Sequence, residues 1–340
     1  MALINSFFPQ AKKVALDLGS NRVRLSVPEI NFFLDEPSCL AVEKSSQKVL
    51  AVGQRALEMS ERPQSHIQIF WPISEGMIVY PTQALTLLKI FLSQALPTAF
   101  FFKPKLVVSS AAALQVVEAE YISELLGQLG VQDVIVVPQA LAAAIGAGVP
   151  IAQAAGASVL HLGASKVEAA VLSVGSITAW ENSSQAGNYA LARLQALLRQ
   201  KYGLEVSNMS AQKILSDFVS VLPGERVCVV AGKMVKNNAP GEVEIKSIEL
   251  QPLALSWAEK YLQLMREVFK KTPVALITDL IDRGILLTGG FSQLVGLRTY
   301  LSQELGTAIL RFDEPDLLVI RGLETVLAHL EQFKESAGYL

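Results

Sequence analysis

Two short segments of the sequence combine a chemically active side chain with a glycine turn. The first, Asp17-Leu18-Gly19-Ser20, follows an apolar run, and the second, His161-Leu162-Gly163-Ala164, follows a similar run and has His161 where the first has Asp17. A glycine lets a ligand oxygen approach the backbone, and successive backbone N–H groups can hold a phosphate. This repeat predicts two similar halves, each with a strand–turn–strand unit, that bind a nucleotide between them.

Composition indicates a folded protein rather than a nucleic-acid binder. The 340 residues, of which 51% are hydrophobic and 18% charged, are enough for two domains with proper cores. The net charge of −2 gives no bulk attraction to nucleic acid, so no such partner is expected. Cys39 and Cys228 show neither metal spacing nor a disulfide framework, which fits a reducing cytoplasm. The N-terminus lacks the pattern of a signal peptide.

Hydrophobic periodicity predicts the elements that position these loops. Alternating strand and helix patterns over residues 105–148 favour a mainly parallel, helix-covered sheet. Further helices are predicted at residues 82–96, 189–202, 252–271 and 294–305. The apolar residues 285–288 run into a third glycine turn, Gly289-Gly290-Phe291, which is another candidate nucleotide loop.

Three consecutive aromatic residues, Phe100, Phe101 and Phe102, stand between prolines and beside Lys103. Exposed aromatic residues next to a lysine fit a membrane or partner contact, whereas buried ones would be ordinary core. The apolar residues before Lys12 and Lys13 have two similar interpretations, contact with an anionic membrane surface or a disordered leader.

In their order and spacing, the three loops resemble those of the actin superfamily, which also contains heat-shock chaperones and sugar kinases. Within it the chain is similar to the MreB family of bacterial actins, over nearly its whole length. Further matching motifs are Val49-Leu50-Ala51-Val52-Gly53, Ala142-Ala143-Ala144-Ile145-Gly146-Ala147-Gly148, Lys201-Tyr202-Gly203-Leu204, Lys271-Thr272-Pro273 and Asp282-Arg283-Gly284-Ile285. One glycine motif alone would be weak evidence, but this ordered series is specific.

The resemblance implies an α/β architecture, the actin-like, duplicated ribonuclease H-like fold with two domains around a nucleotide cleft. Domain I would comprise residues 1–146 and 313–340, with a small subdomain at about residues 30–66. Domain II would comprise residues 147–312, with a small subdomain at about residues 183–250.

The resemblance also assigns roles to residues and implies ATP and Mg²⁺ as cofactors. Asp17 would act in catalysis by holding the water shell of Mg²⁺. Gln139 would position the attacking water; the bacterial family has Glu there, and eukaryotic actin has Gln. Phe100, Phe101 and Phe102 match a membrane-insertion loop. Nucleotide-binding residues would be Gly19, Ser20, Asn21, Gly163, Ala164, Ser165, Lys166, Gly187, Asn188, Gln212, Gly289, Gly290 and Phe291.

Departures from the family pattern concentrate in the second loop. Where the family has a second Asp, this chain has His161, and an imidazole cannot supply the negative charge that the waters of Mg²⁺ prefer. The loop that begins at Gly163 lacks family glycines and hydroxyls, and Asn188 and Gln212 replace acidic residues. We therefore expect a divergent member whose hydrolysis is weakened, with at most weak ATPase activity.

Two cations, Arg22 and Lys166, follow Asp17 and His161 at the same spacing. One interpretation is that they contact phosphates directly and partly substitute for Mg²⁺. The other is that they form ion pairs with Asp17 or Glu168. The sequence leaves both open.

The function implied by the resemblance is a filament protein that determines or maintains bacterial cell shape. It would self-associate, lie in the cytoplasm at the inner face of the cell membrane, and meet membrane proteins of morphogenesis and wall synthesis. The alternative is a nucleotide-independent scaffold, or a regulator of another bacterial actin filament. A phosphotransfer enzyme or a chaperone would need an added substrate-binding region, for which the chain leaves little room.

Overall fold

The chain forms two compact units. Unit 1 comprises Met1–Pro150 and Leu318–Leu340, and unit 2 comprises Ile151–Leu317. The computed structural model describes residues 12–62, 64–96, 103–110, 116–150 and 156–337, so Phe100, Phe101 and Phe102 lie outside the described residues. The domain boundaries expected after residues 146 and 312 stay predictions.

Unit 1 is built on a five-stranded sheet. Its strands are β1 (Lys13–Leu18), β2 (Arg22–Val27), β3 (Phe32–Pro37), β9 (Lys105–Ser110) and β10 (Asp133–Pro138), in the order β10-β9-β1-β2-β3. Strands β1, β2 and β3 form an antiparallel meander, and β1, β9 and β10 run parallel. From Val14 to Leu18, β1 is buried on both faces, and this part of the strand is apolar except for Asp17.

Unit 2 repeats this sheet. Its strands are β11 (Ala157–Leu162), β12 (Val167–Ser173), β13 (Ser176–Ser183), β17 (Ile285–Thr288) and β18 (Ile309–Leu310), in the order β13-β12-β11-β17-β18. Here too a three-stranded antiparallel meander is extended by two parallel strands. The repeated loop motif of the sequence therefore belongs to a repeated architecture, as predicted.

The prediction of a mainly parallel sheet, made from residues 105–148, is wrong for the whole five-stranded sheet of unit 1 to which these residues belong. In each five-stranded sheet, two of the four strand pairings are parallel and two are antiparallel. Strand–helix alternation correctly indicated the parallel pair β9 and β10. The turns from β1 to β2 and from β2 to β3 are too short for a crossover, so these strands must pair antiparallel.

The other elements are smaller sheets and helices. The remaining strands are β4 (Leu40–Glu43), β5 (Val49–Val52), β6 (Ile67–Phe70), β7 (Ile73–Ser74), β8 (Met77–Ile78), β14 (Leu204–Glu205), β15 (Val227–Met234) and β16 (Pro240–Lys246), which pair as β5-β4-β6, β7-β8 and β14-β15-β16. The helices are α1 (Gln54–Ser60), α2 (Pro81–Ala95), α3 (Val116–Gly127), α4 (Gln139–Gly146), α5 (Gly187–Tyr202), α6 (Asn208–Asp217), α7 (Ser247–Lys271), α8 (Val274–Arg283), α9 (Leu297–Leu305), α10 (Leu318–Ala328) and α11 (Leu330–Ala337).

Helix α7 begins at Ser247, earlier than the predicted start at Pro252. A proline inside a helix removes one N–H donor, which is why the sequence favoured a start there. The carboxylate of Glu249 accepts a hydrogen bond from the backbone N–H of Lys246 at 3.3 Å, and this contact secures the first turn. Burial of Leu250 and Ala254, together with this cap, keeps the turn before Pro252 helical.

Helices α4 and α10 of unit 1 pack through two glycines, and α10 also contacts β1. A Cβ atom on Gly322 would collide with the carbonyl oxygen of Ala142, and one on Gly146 would collide with that of Leu318. The two backbones can therefore come this close only because neither position carries a side chain.

Within the residues that the structure describes, no helix combines the length and the apolar character needed to cross a bilayer. In the same residues, no three His, Cys, Asp or Glu side chains cluster as a metal site would require.

We expect Gly322→Ala to lower the free energy of unfolding by roughly 1–3 kcal/mol, toward the upper end because the atom that the new methyl group meets is backbone. The measurement is urea denaturation followed by circular dichroism. Gly127→Ala is the matched control, since Gly127 ends α3 and a methyl group added there would meet nothing within 4 Å. Equal midpoints for the two variants would contradict the close α4–α10 contact.

Candidate functional site

The first candidate loop connects β1 to β2 in unit 1. Asp17 lies near the end of β1, and the turn that follows contains Gly19, where a Cβ atom would collide with the carbonyl oxygen of Arg22. Glycine is therefore required for this tight turn, as the sequence pattern indicated. Ser20 and Asn21 complete the turn, and the carbonyl oxygen of Asn21 accepts a hydrogen bond from the N–H of Ser38 at 2.9 Å.

The carboxylate of Asp17 is buried and already bound by neutral donors. The hydroxyl of Ser109 on β9 donates to Asp17 Oδ1 at 2.7 Å and accepts from the N–H of Leu18 at 3.0 Å. The side chain of Gln139, the first residue of α4, lies close enough to Asp17 to lower the pKa of its carboxyl. The structure thus brings together Asp17 and Gln139, the two residues predicted to act in catalysis.

Arg24 supplies the positive charge beside Asp17. It lies directly opposite Asp17 across the β1–β2 pairing and opposite Asp35 across the β2–β3 pairing. Its Nη1 is 3.6 Å from Asp17 Oδ2, and its Nε is 3.3 Å from Asp35 Oδ2. One buried guanidinium therefore bridges two carboxylates on the strands to either side.

Burial is the largest influence on Asp17 and raises the pKa of this carboxyl. The positive charge of Arg24 is the largest opposing effect, and the hydrogen bonds from Ser109 and Gln139 also lower the pKa. The ionised form of Asp17 therefore depends on Arg24 and these donors rather than on water.

Arg22 forms an ion pair, but its partner is not one of those considered from the sequence. Its Nε is 2.5 Å from Asp35 Oδ1, and its Nη2 donates to the carbonyl oxygen of Asp35 at 2.7 Å. The expected pairing with Asp17 is thus wrong. Arg22 and Arg24 project from the same face of β2, and Arg24, not Arg22, is in register with Asp17.

The second candidate loop, in unit 2, has the same geometry around a different residue. Nδ1 of His161 lies 3.0 Å from the hydroxyl oxygen of Thr288, which is its neighbour on the parallel strand β17. Across the β11–β12 pairing, His161 is opposite the buried residue Glu168. A Cβ atom on Gly163 would lie 2.8 Å from the carbonyl oxygen of Lys166, so this turn also requires glycine.

Most of the nucleotide-binding residues predicted in unit 2 lie around this turn. At the start of α5, the N–H groups of Gly187 and Asn188 donate to the carbonyl oxygens of Gly163 and Ala164, at 3.2 and 2.6 Å. A Cβ atom on Gly289 would collide with the carbonyl oxygen of Leu162, so the third loop begins beside the second. Loop residues Ser165, Lys166 and Gly290 belong to the same turns.

Two other residues predicted to bind nucleotide have different surroundings. Gln212 is exposed on α6, and the ring of Phe291 packs edge-on against Trp257 and Tyr261 at centroid distances of 5.9 and 6.3 Å. The side chain of Phe291 is thus committed to the core of unit 2. Lys166 is partly exposed, and in the described part of the chain it makes no ion pair with Glu168 or any other acid.

Sequence reasoning missed the residues that hold Asp17 and His161 in place. Ser109, Asp35 and Thr288 come from neighbouring strands, and Arg24 lies beyond the loop motif. The pattern that could have revealed these residues is a charged side chain within an otherwise apolar strand. Arg24 interrupts β2 as Glu168 interrupts β12, each directly across from the active residue of the preceding strand.

These donors do not fit a magnesium ion. Mg²⁺ prefers carboxylate and water oxygens, and it usually takes one or two free carboxylates from a protein. At Asp17 both carboxylate oxygens are engaged, one by Ser109 and the other by Arg24. In unit 2 the equivalent position is an imidazole.

We expect Arg24→Met to lower the free energy of unfolding by roughly 3–5 kcal/mol, because it leaves a buried carboxylate without its cation. Arg22→Met is the matched control and should cost about 0–1 kcal/mol, because the Arg22 side chain is 42% exposed and that of Arg24 only 9%. Urea denaturation of both variants measures the difference. Similar losses would mean that Arg24 does not hold the buried position described here.

Comparison with known proteins identifies relatives over nearly the whole chain. The model of the MreB/Mbl protein family matches residues 11–335. The cell shape-determining protein Mbl of Bacillus cereus is 28% identical over 329 residues, covering 96% of this chain and 99% of the relative. The cell shape-determining protein MreB of Escherichia coli is 26% identical over 316 residues, covering 91% of each.

Solved structures share the fold of this chain. MreB5 of Spiroplasma citri bound to ADP has a TM-score of 0.89 at 22% identity, covering 96% of this chain and 98% of that one. A MamK double helical filament has a TM-score of 0.78 at 16% identity, covering 94% and 99%. The predicted actin-like fold is confirmed, and the chain belongs to the MreB/Mbl family.

Proposed function

We propose that this chain is a nucleotide-binding filament protein that determines or maintains cell shape. The duplicated loop geometry, in a chain that matches the MreB/Mbl family over residues 11–335, carries the proposal. Relatives covering more than nine-tenths of the chain are cell shape-determining proteins of Bacillus and Escherichia coli. The similar MreB5 structures contain ADP or AMPPNP, so an adenine nucleotide is the ligand that we propose here.

The turn glycines and the loop N–H groups are the proposed phosphate contacts. In unit 1 these are Gly19, Ser20 and Asn21, and in unit 2 the turn after β11 lies against the start of α5 and beside Gly289. Backbone N–H groups in such turns carry partial positive charge, which favours phosphate oxygens. At the start of α5, the N–H groups of Gly187 and Asn188 donate to the second turn, so they support the shape of this turn. Lys166, partly exposed in the second turn, adds a full positive charge.

Self-association into filaments is the proposed mode of action. A head-to-tail contact between identical subunits that does not close into a ring produces an open filament, and it needs no second protein. The MamK filament with a similar fold supports this step for an actin-like chain.

We propose further that the filament lies on the cytoplasmic face of the membrane, where membrane proteins of morphogenesis and wall synthesis would meet it. The support is the sequence Phe100-Phe101-Phe102-Lys103, since aromatic rings next to a cation suit the boundary between headgroups and acyl chains.

Hydrolysis of the bound nucleotide would be weak. The side chain of Gln139, proposed to orient the attacking water, is buried beside Asp17. An amide held in this way is less available to orient a water molecule.

The second candidate function is a nucleotide-independent scaffold or a regulator of another actin-like filament. The observation that favours it is the pairing of Asp17 with Arg24, together with His161 in the equivalent position of unit 2. In this case the loops would be structural turns and would bind no ligand.

We expect filaments on lipid monolayers when the purified protein is supplied with ATP, and none after nucleotide has been removed. Negative-stain electron microscopy makes the comparison. Filaments in both conditions would support the scaffold instead, and absence of filaments in both would contradict self-assembly.

We expect replacement of Phe100, Phe101 and Phe102 by serine to reduce sedimentation with anionic vesicles by about tenfold or more, because each buried apolar side chain contributes about 1.5–3 kcal/mol. Phe33→Ser is the control, because Phe33 is an exposed phenylalanine elsewhere in the chain. Equal loss in both variants would contradict membrane contact at this segment.

A further inference from the structure

Both oxygens of the buried Asp17 carboxylate already face a protein group. The side chain is 4% exposed, with the hydroxyl of Ser109 at one oxygen and the guanidinium of Arg24 at the other. A magnesium ion would have to displace Arg24, and Arg24 would then lie buried next to a divalent cation. Repulsion between like charges is strong where water is excluded.

Charge balance around the first loop is already complete. Arg22, Asp35, Arg24 and Asp17 form a continuous chain of ion pairs across β1, β2 and β3, with two positive and two negative groups. A carboxylate that is neutralised in this way no longer repels a phosphate. The need for a cation between carboxylate and phosphate is therefore removed.

The second loop also lacks the groups that a magnesium ion needs. His161 brings no negative charge and lies within hydrogen-bond distance of Thr288, so it offers no carboxylate to the waters of a metal. Lys166 belongs to the same turn, is partly exposed and forms no ion pair among the described residues. It is a cation that remains available for a phosphate oxygen.

We propose that Arg24 takes the place of a divalent cation at Asp17, so that this chain binds adenine nucleotide without Mg²⁺, with Lys166 as a direct phosphate contact. The inference rests on the nucleotide binding proposed above. It changes the expected chemistry of the site, because the positive charge that meets the phosphates is then that of Lys166 and not that of a metal ion.

The decisive experiment is isothermal titration calorimetry of the full, unmodified chain with ATP, in excess Mg²⁺ and separately in EDTA. We expect dissociation constants that agree within about twofold. Binding that is tighter by about tenfold or more in Mg²⁺ would overturn the inference and leave nucleotide binding intact. Binding in neither condition would overturn both the inference and the nucleotide part of the proposed function.

Variants identify the residues responsible. Arg24→Leu combined with His161→Asp should create a Mg²⁺ requirement. Arg22→Leu should not, because Arg22 pairs with Asp35 and, among the described residues, with no other acid. Lys166→Met should weaken binding by about tenfold in EDTA, as loss of one charge-assisted contact predicts.

Arg24 is buried, so Arg24→Leu could fail to fold. Arg24→Lys keeps the positive charge, and ATP binding by this variant should stay independent of Mg²⁺. A Mg²⁺ requirement in the Arg24→Lys or Arg22→Leu variant, or unchanged affinity in Lys166→Met, would contradict these assignments.

Discussion

The buried guanidinium of Arg24, held between Asp17 and Asp35, is the interaction on which the first half of the molecule depends. Removing a charged group from water is costly unless opposite charges lie within reach, and here they come from the strands on both sides. A shift of one residue in either pairing would move Arg24 away from its partners and to the wrong face. The ion pairs therefore fix the register of β1, β2 and β3 as well as the position of Asp17.

The two units share one backbone geometry, but the positions of the acidic and the basic side chain are reversed between them. In unit 1 an acid at the end of the first strand faces a base on the second, and in unit 2 an imidazole faces an acid. In each case a hydroxyl from the parallel neighbour, Ser109 or Thr288, holds the residue from the other side. The two units thus have the same arrangement of strands, whereas the side chains at the equivalent positions differ.

The sequence predicted the features that depend on neighbouring residues along the chain. Tight turns need Gly19 and Gly163 locally, so repeated motifs were enough to find both loops and the duplicated fold. Partners that arrive from other strands gave no such signal. Asp35 reaches Arg24 only through the pairing of β2 with β3. The family resemblance assigns residues 30–66 to a small subdomain, whereas β3 belongs to the main sheet. Ion-pair partners across a sheet follow from its topology, which must be known first.

The close contact of α4 with α10 has a consequence for the order in which the molecule is assembled. Residues of unit 1 lie on both sides of unit 2 in the chain, whereas the residues of unit 2 are continuous. Synthesis proceeds from the N-terminus, so the backbone contact at Gly146 and Gly322 cannot form until the whole of unit 2 has been made. Unit 1 therefore remains incomplete during synthesis. Until α10 has been made, the surfaces of α4 and β1 that it covers are exposed to solvent or to chaperones. Unit 2 has no such delay and can fold as soon as its own residues emerge.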